Sequence, residues 1–173
     1  MSQAPSYVDP AAAQAFEAAP GNLIEIVQVV NAPVNTVFDD WLQKLWIGNF
    51  KLGAPGTGRG MVGCERIIES FDVVETIVGA ALPMNDNSQT ASINYAVTTF
   101  GKFTWDFHTG YVRFIPSDDG KTTTVNWSNK STPKTNEDGT KVDDSGLRAL
   151  LTKVIAGQVA EWAATYSAAP VAL

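Results

Sequence analysis

The sequence predicts an α+β domain: a curved antiparallel sheet of six or seven strands wrapped around one long C-terminal helix, with two short helices after the first strand. Three observations predict it. A β-branched run, Leu23 to Val30, opens the patterned part of the chain. Between Gly60 and Asn129, strand-like segments alternate with turn-forming clusters. From about Asp144 to Tyr166, apolar residues recur at intervals of three and four.

Taken in order, Met1 to Pro20 is rich in Ala, Pro and small polar residues and reads as a mobile arm, or as a short helix around Ala11 to Ala18. It has no basic segment leading into an apolar one, which argues against a signal peptide and favours a cytosolic location. After the first strand, Asn31 sits at a helix N-cap position with Pro33 just inside. Val34, Val37, Phe38, Trp41, Leu42, Leu45 and Trp46 then mark an amphipathic helix broken into two short ones. The stretch Gly53-Ala54-Pro55-Gly56-Thr57-Gly58-Arg59-Gly60 reads as a flexible connection. It lacks the Gly-Lys-Ser/Thr ending of a phosphate loop and leads into a strand, not a helix.

Strands follow at Gly60 to Ile68 and Val73 to Ala80, joined by the turn Glu69 to Asp72. That turn length pairs Ile68 with Val73, Arg66 with Glu75 and Cys64 with Ile77. Further strands are expected at Gln89 to Thr98, Phe103 to Ile115 and Lys121 to Asn129, with a polar loop from Ser131 to Gly139. Asp143, Asp144 and Ser145 are capping candidates for the last helix. Its stripe is Leu147, Leu150, Leu151, Val154, Ile155, Val159, Trp162, Ala163 and Tyr166. One domain over residues 21–168 is expected, between the arm and a short tail at 169–173.

Composition narrows the function. Hydrophobic residues make up 45% of the 173 residues, as in a globular domain. No apolar run reaches the roughly 18 residues of a membrane span. A net charge of −6 with scattered Lys and Arg argues against nucleic acid. The single cysteine, Cys64, excludes an internal disulfide and a cysteine zinc site, and reads as a small buried residue. One histidine without clustered carboxylates argues against a metal enzyme. The absence of a Gly-x-Ser-x-Gly elbow argues against a serine hydrolase.

The sequence resembles the START-like, or SRPBCC, superfamily, the helix-grip fold shared by polyketide cyclase/dehydrase-like and birch pollen allergen-like proteins. The resemblance is carried by Val29-Val30-Asn31-Ala32-Pro33-Val34-Asn35-Thr36-Val37-Phe38 at the passage from first strand to first helix, and by Gly60-Met61-Val62-Gly63-Cys64-Glu65-Arg66. Val73-Val74-Glu75-Thr76-Ile77 and Thr123-Thr124-Val125-Asn126-Trp127-Ser128 continue it. It spans Leu23 to Tyr166. It implies an interior pocket for an apolar or aromatic organic molecule, and no single activity, since members include cyclases, dehydratases and lyases as well as binders and carriers.

The candidate catalytic residues follow from strand faces. Arg66 and Glu75 share a face with Cys64, Ile68, Val73 and Ile77; they form either a buried pair on a cavity wall or a surface cross-strand pair. As chemistry, Glu75 could be a general base and Arg66 a stabiliser of an enolate. Asp106 and His108, two apart, share one face of their strand with Val112 and Phe114. Either that face is inward, giving an acid–base histidine oriented by an aspartate, or the face of Trp105, Phe107, Thr109 and Tyr111 is. Tyr95, between Ile93 and Val97, either fills the core or offers its hydroxyl to a carbonyl.

Five tryptophans suit both a core and an aromatic ligand. Trp41, Trp127 and Trp162, together with Met84, Phe100 and Gln158, are the expected ligand contacts, and the loops Leu82 to Asn87 and Thr99 to Lys102 could gate a cavity mouth. The leading expectation is a cofactor-independent cyclase, dehydratase or isomerase of the polyketide cyclase-like kind, in secondary metabolism, monomeric or homodimeric. The alternatives are a non-catalytic carrier with the same cavity, or a co-chaperone-like module that binds through its surface.

Overall fold

Helix α1 (Pro10–Ala18) leads into strand β1 (Asn22–Val30), and helix α2 (Val34–Trp41) continues directly into a π-helical segment, Leu42–Ile47. Strands β2 (Lys51–Thr57), β3 (Val62–Ile68), β4 (Val73–Ala81), β5 (Ala91–Thr99), β6 (Trp105–Pro116) and β7 (Thr123–Pro133) precede the long helix α3 (Ser145–Ala164). This computed structural model describes residues 10–167; the start of the expected arm and the whole of the expected tail lie outside them. The seven strands form one sheet in the order β1-β7-β6-β5-β4-β3-β2, each neighbour antiparallel. α2 and the π-helical segment therefore carry the chain from one sheet edge to the other.

The apolar side of the curved sheet is filled from two directions. Val34, Val37, Phe38, Trp41, Leu42, Leu45 and Trp46 are all buried. Trp41 stands edge-on to Trp127 at 5.0 Å and to Phe114 at 5.7 Å, and stacks beside Trp46 at 6.2 Å. This aromatic knot closes one end of the concave face. α3 covers the rest, but unevenly. Ile155, Val159, Trp162 and Ala163 are buried, whereas Leu150 and Val154, expected in the same stripe, are 47% and 42% exposed. The N-terminal half of α3 stands off from the sheet, and a cavity lies beneath it.

Three details differ from the sequence reading. The Gly-rich stretch is largely strand: β2 pairs with β3 from Lys51↔Ile67 to Thr57↔Val62, with an irregularity between Leu52 and Pro55. Six of the seven β2 residues are exposed, so no apolar alternation marked it; an edge strand tolerates Pro55 because its outer side needs no donor. Pro33, not Asn31, is the N-cap of α2, and no side chain caps that end. β7 runs on to Pro133, through what reads as a polar loop.

The β3–β4 register pairs Ile68 with Val73 and Arg66 with Glu75, as the turn length predicts, and runs on to Glu65↔Thr76. At the start of α3, Asp144 does not cap with its side chain. Its carboxylate accepts from Trp105 Nε1 (2.8 Å) and Arg148 Nε (3.1 Å), tying the helix to β6. α1 lies on the opposite face of the sheet. Phe16 meets Tyr111 at 5.6 Å, and Lys130 Nζ donates to the carbonyls of Phe16, Glu17 and Ala19 at the end of the helix.

Candidate functional site

The cavity beneath α3 has a volume of about 250 Å³. Arg66, Glu75, Tyr95, His108, Trp127 and Asn129 from β3 to β7 line its sheet side. Phe50, Phe71, Phe103 and the α3 residues Leu147, Leu150, Leu151, Val154, Ile155 and Gln158 form an almost wholly apolar surround. The arrangement is a polar floor under an apolar roof, which fits a ligand with one polar end.

Arg66 and Glu75 form a buried ion pair, with Arg66 Nε 2.5 Å from Glu75 Oε2 and side chains only 8% and 6% exposed. Arg66 Nη1 also donates to the carbonyls of Leu45 (2.9 Å) and Trp46 (3.4 Å) in the π-helical segment. Its guanidinium lies over the rings of Trp46 at 4.2 Å and Phe50 at 4.8 Å. The cation thus joins the π-helical segment to the acid on β4. Leu45 and Trp46 lie in the last turn of that segment, where carbonyls lack partners within the helix, and Arg66 supplies a donor to them.

His108 stacks face to face on Trp105 at 4.8 Å, with 7° between the planes. Its Nδ1 is buried and has no hydrogen-bond partner among the described residues. Burial pushes its pKa down to about 4, opposed by the Glu75 carboxylate and reinforced by the Arg66 cation. His108 is therefore neutral near pH 7. Tyr95 accepts from Trp127 Nε1 (2.8 Å) and donates to Asn129 Oδ1 (2.5 Å). Burial, and next the Glu75 charge, push its hydroxyl well above the ordinary phenol range, so it stays protonated.

Asp106 does not share the face of His108. A bulge between Trp105 and Phe107 shifts the pairing of β6 with β7. It turns Trp105 inward beside His108 and leaves Asp106 exposed, 2.5 Å from Thr132 Oγ1. The strict alternation assumed from sequence holds only beyond the bulge, where His108, Gly110, Val112 and Phe114 are all buried.

Of the expected ligand contacts, Trp127 and Gln158 line the cavity. Four do not. Trp41 is fully buried in the aromatic knot. Met84 lies in the loop between β4 and β5, where its carbonyl accepts from Asn35 Nδ2 near the start of α2. Phe100 packs on Val73, Val97, Phe103 and Trp105. Trp162 donates to Asp40 Oδ2 at 2.8 Å and lines an outer groove with Lys44 and Glu161. Phe50 and Gln158 belong to both groove and cavity and stand between them.

Asn129 and Phe50 are cavity residues that the sequence reading did not single out. Asn129 was within reach, since it follows Val125 and Trp127 at the strand period of two. Phe50 lies between the π-helical segment and β2, where no periodicity signals an inward side chain. Among the described residues, no three His, Cys, Asp or Glu groups are placed to hold a metal ion, and no helix is long and apolar enough to cross a membrane.

The sequence matches no family model and no curated protein. Solved structures do match. A protein of Nitrosospira multiformis superposes with a TM-score of 0.57 at 19% identity, over 85% of this chain and 97% of that one. A truncated norcoclaurine synthase of Thalictrum flavum gives 0.53 at 13% identity, over 86% and 94%. Ara h 8.0201 gives 0.50 at 12% identity, over 83% and 98%. At these identities the likeness is one of fold. The chain has the helix-grip fold. A synthase is among these neighbours, and a fold by itself leaves the activity open.

Proposed function

We propose that the chain is an enzyme acting by acid–base chemistry on a small, largely apolar, carbonyl-containing molecule held in this cavity, by cyclisation, dehydration or isomerisation. One observation carries the reading: a neutral, buried His108 with a free Nδ1 stands on the wall of an apolar cavity that also contains the Arg66–Glu75 pair. A core histidine with no partner costs stability without purpose; at a reacting carbon it is a proton acceptor. The nearby Glu75 carboxylate favours the imidazolium formed in that step. Arg66 polarises a carbonyl or steadies the enolate. Tyr95, its proton committed to Asn129, positions rather than transfers. Asp106, on the far face, takes no part. A synthase on the same fold supports chemistry in such a cavity.

The volume bounds the substrate. An apolar cavity of about 150 Å³ holds one benzene, so 250 Å³ admits a molecule of one or two rings. A carrier is the second reading, favoured by Glu75 and Tyr95 both spending hydrogen bonds on protein partners. The test begins with native mass spectrometry of freshly purified protein and extraction of whatever it carries. Relatives of the extracted molecule are then assayed for turnover. Loss of turnover in His108→Ala with binding retained supports the enzyme. Ligand returned unchanged by the wild type supports the carrier, and turnover undiminished in both His108→Ala and Glu75→Gln overturns the roles given to these two residues.

A further inference from the structure

The amide of Asn129 has a direction imposed on it. The Trp127 indole N–H can only donate, and it donates to the Tyr95 oxygen at 2.8 Å. The Tyr95 O–H then donates to Asn129 Oδ1 at 2.5 Å. Turning the amide over would leave the Tyr95 proton facing a donor. Oδ1 is thus held toward Tyr95 and the NH₂ away from it. That Nδ2 is buried and has no partner among the described residues, while Asn129 lines the cavity.

Two more buried polar atoms without partners lie beside it. His108 Nδ1 and Ser131 Oγ belong to residues directly opposed across β6 and β7, and Asn129 is the next inward position on β7. Each such atom costs about 1–3 kcal/mol if nothing pairs with it. Asn129 faces Gly110 across the ladder, and a Cβ there would lie 2.1 Å from the Tyr95 ring. The absent side chain is what lets Tyr95 reach Asn129.

We infer that Asn129 is a specificity-determining residue: an oriented N–H donor that selects ligands whose polar end is an acceptor oxygen, the carbonyl of a ketone, aldehyde or enone of one or two rings, over isosteres that lack it. This rests on the reading of the cavity as a small-molecule site and goes beyond it by fixing which end enters and what that end must be. The donor comes from a relay three residues long, so its aim depends on Trp127 and Tyr95 as much as on Asn129 itself.

Acetophenone and α-methylstyrene, which differ by C=O against C=CH₂, test it on the full chain by titration calorimetry and by ¹⁵N–¹H spectra. Wild type is expected to bind the ketone at least about tenfold more tightly, the effect of one well-made hydrogen bond. The Asn129 side-chain amide resonances shift with the ketone and not with the alkene. In Asn129→Asp, which keeps an acceptor for Tyr95 and removes the donor, the preference falls to parity or reverses. Equal binding of the two probes by wild type, or an unchanged preference in Asn129→Asp, overturns the inference. Binding of neither probe overturns the cavity reading beneath it, and this inference with it. The amide resonances decide the matter in wild type even where the substituted chain fails to fold.

Discussion

Arg66 and Glu75 face each other across β3 and β4, and their side chains meet at 2.5 Å with both almost shut off from solvent. A buried pair gains little over apolar residues of the same volume, but removing one partner strands the other. Glu75→Ala is expected to lower stability by about 3–5 kcal/mol, and Arg66→Met with Glu75→Leu to regain much of that. Urea unfolding of the single and double variants measures it. A double variant no more stable than Glu75→Ala would show that Arg66 matters chiefly through the Leu45 and Trp46 carbonyls.

His108 sets a pH dependence of stability. Its folded pKa of about 4 lies below the ordinary 6.5, so the unfolded chain binds a proton that the folded chain does not take up. Stability is therefore complete above about pH 6.5 and falls as the pH drops toward 4, by roughly 3 kcal/mol in all. His108→Gln is expected to flatten urea midpoints across that window. Asp86, Asp119, Asp138 and Asp143, with pKa values lowered by hydrogen bonds to their own turns, contribute at lower pH.

Tyr95→Phe removes one atom from the relay and strands two groups, the Trp127 N–H and Asn129 Oδ1. The cost is about 1–3 kcal/mol for each group left without a partner, read from denaturant or thermal unfolding. Loss of stability below 1 kcal/mol would mean that water replaces the hydroxyl.

Gly110→Ala would set a methyl 2.1 Å from the Tyr95 ring. Overpacking of this kind costs about 1–3 kcal/mol, and the displaced ring should also blunt the preference for carbonyl ligands. Calorimetry with the two probes above, alongside unfolding, separates these effects.

Phe50 stands between the cavity and an outer groove of about 520 Å³. Phe50→Ala should join them and raise ligand exchange rates more than it weakens affinity. Stopped-flow release of a bound aromatic ketone checks this, and an unchanged release rate would place the route in elsewhere.

The sequence by itself determined the class of fold, the order of most strands, the covering role of α3 and the Arg66–Glu75 register. Each rests on local information: β-branched runs, helical spacing, and a turn length that fixes which residues oppose. It also brought forward six residues that line the cavity, Arg66, Glu75, Tyr95, His108, Trp127 and Gln158. Only the tertiary structure decided the rest. β2 escaped notice because its residues are exposed on both faces and it is held by backbone pairing alone. Asp106 was mispaired with His108 because a bulge breaks the period of two, and a bulge depends on the partner strand. Trp41 and Trp127 look alike in sequence, yet one fills the aromatic knot and the other lines the cavity as well. The direction of the Asn129 amide is set by Trp127 and Tyr95 together, from two strands and 32 positions apart in the chain. Hydrogen-bond polarity passes through space, and no periodicity along the chain records it.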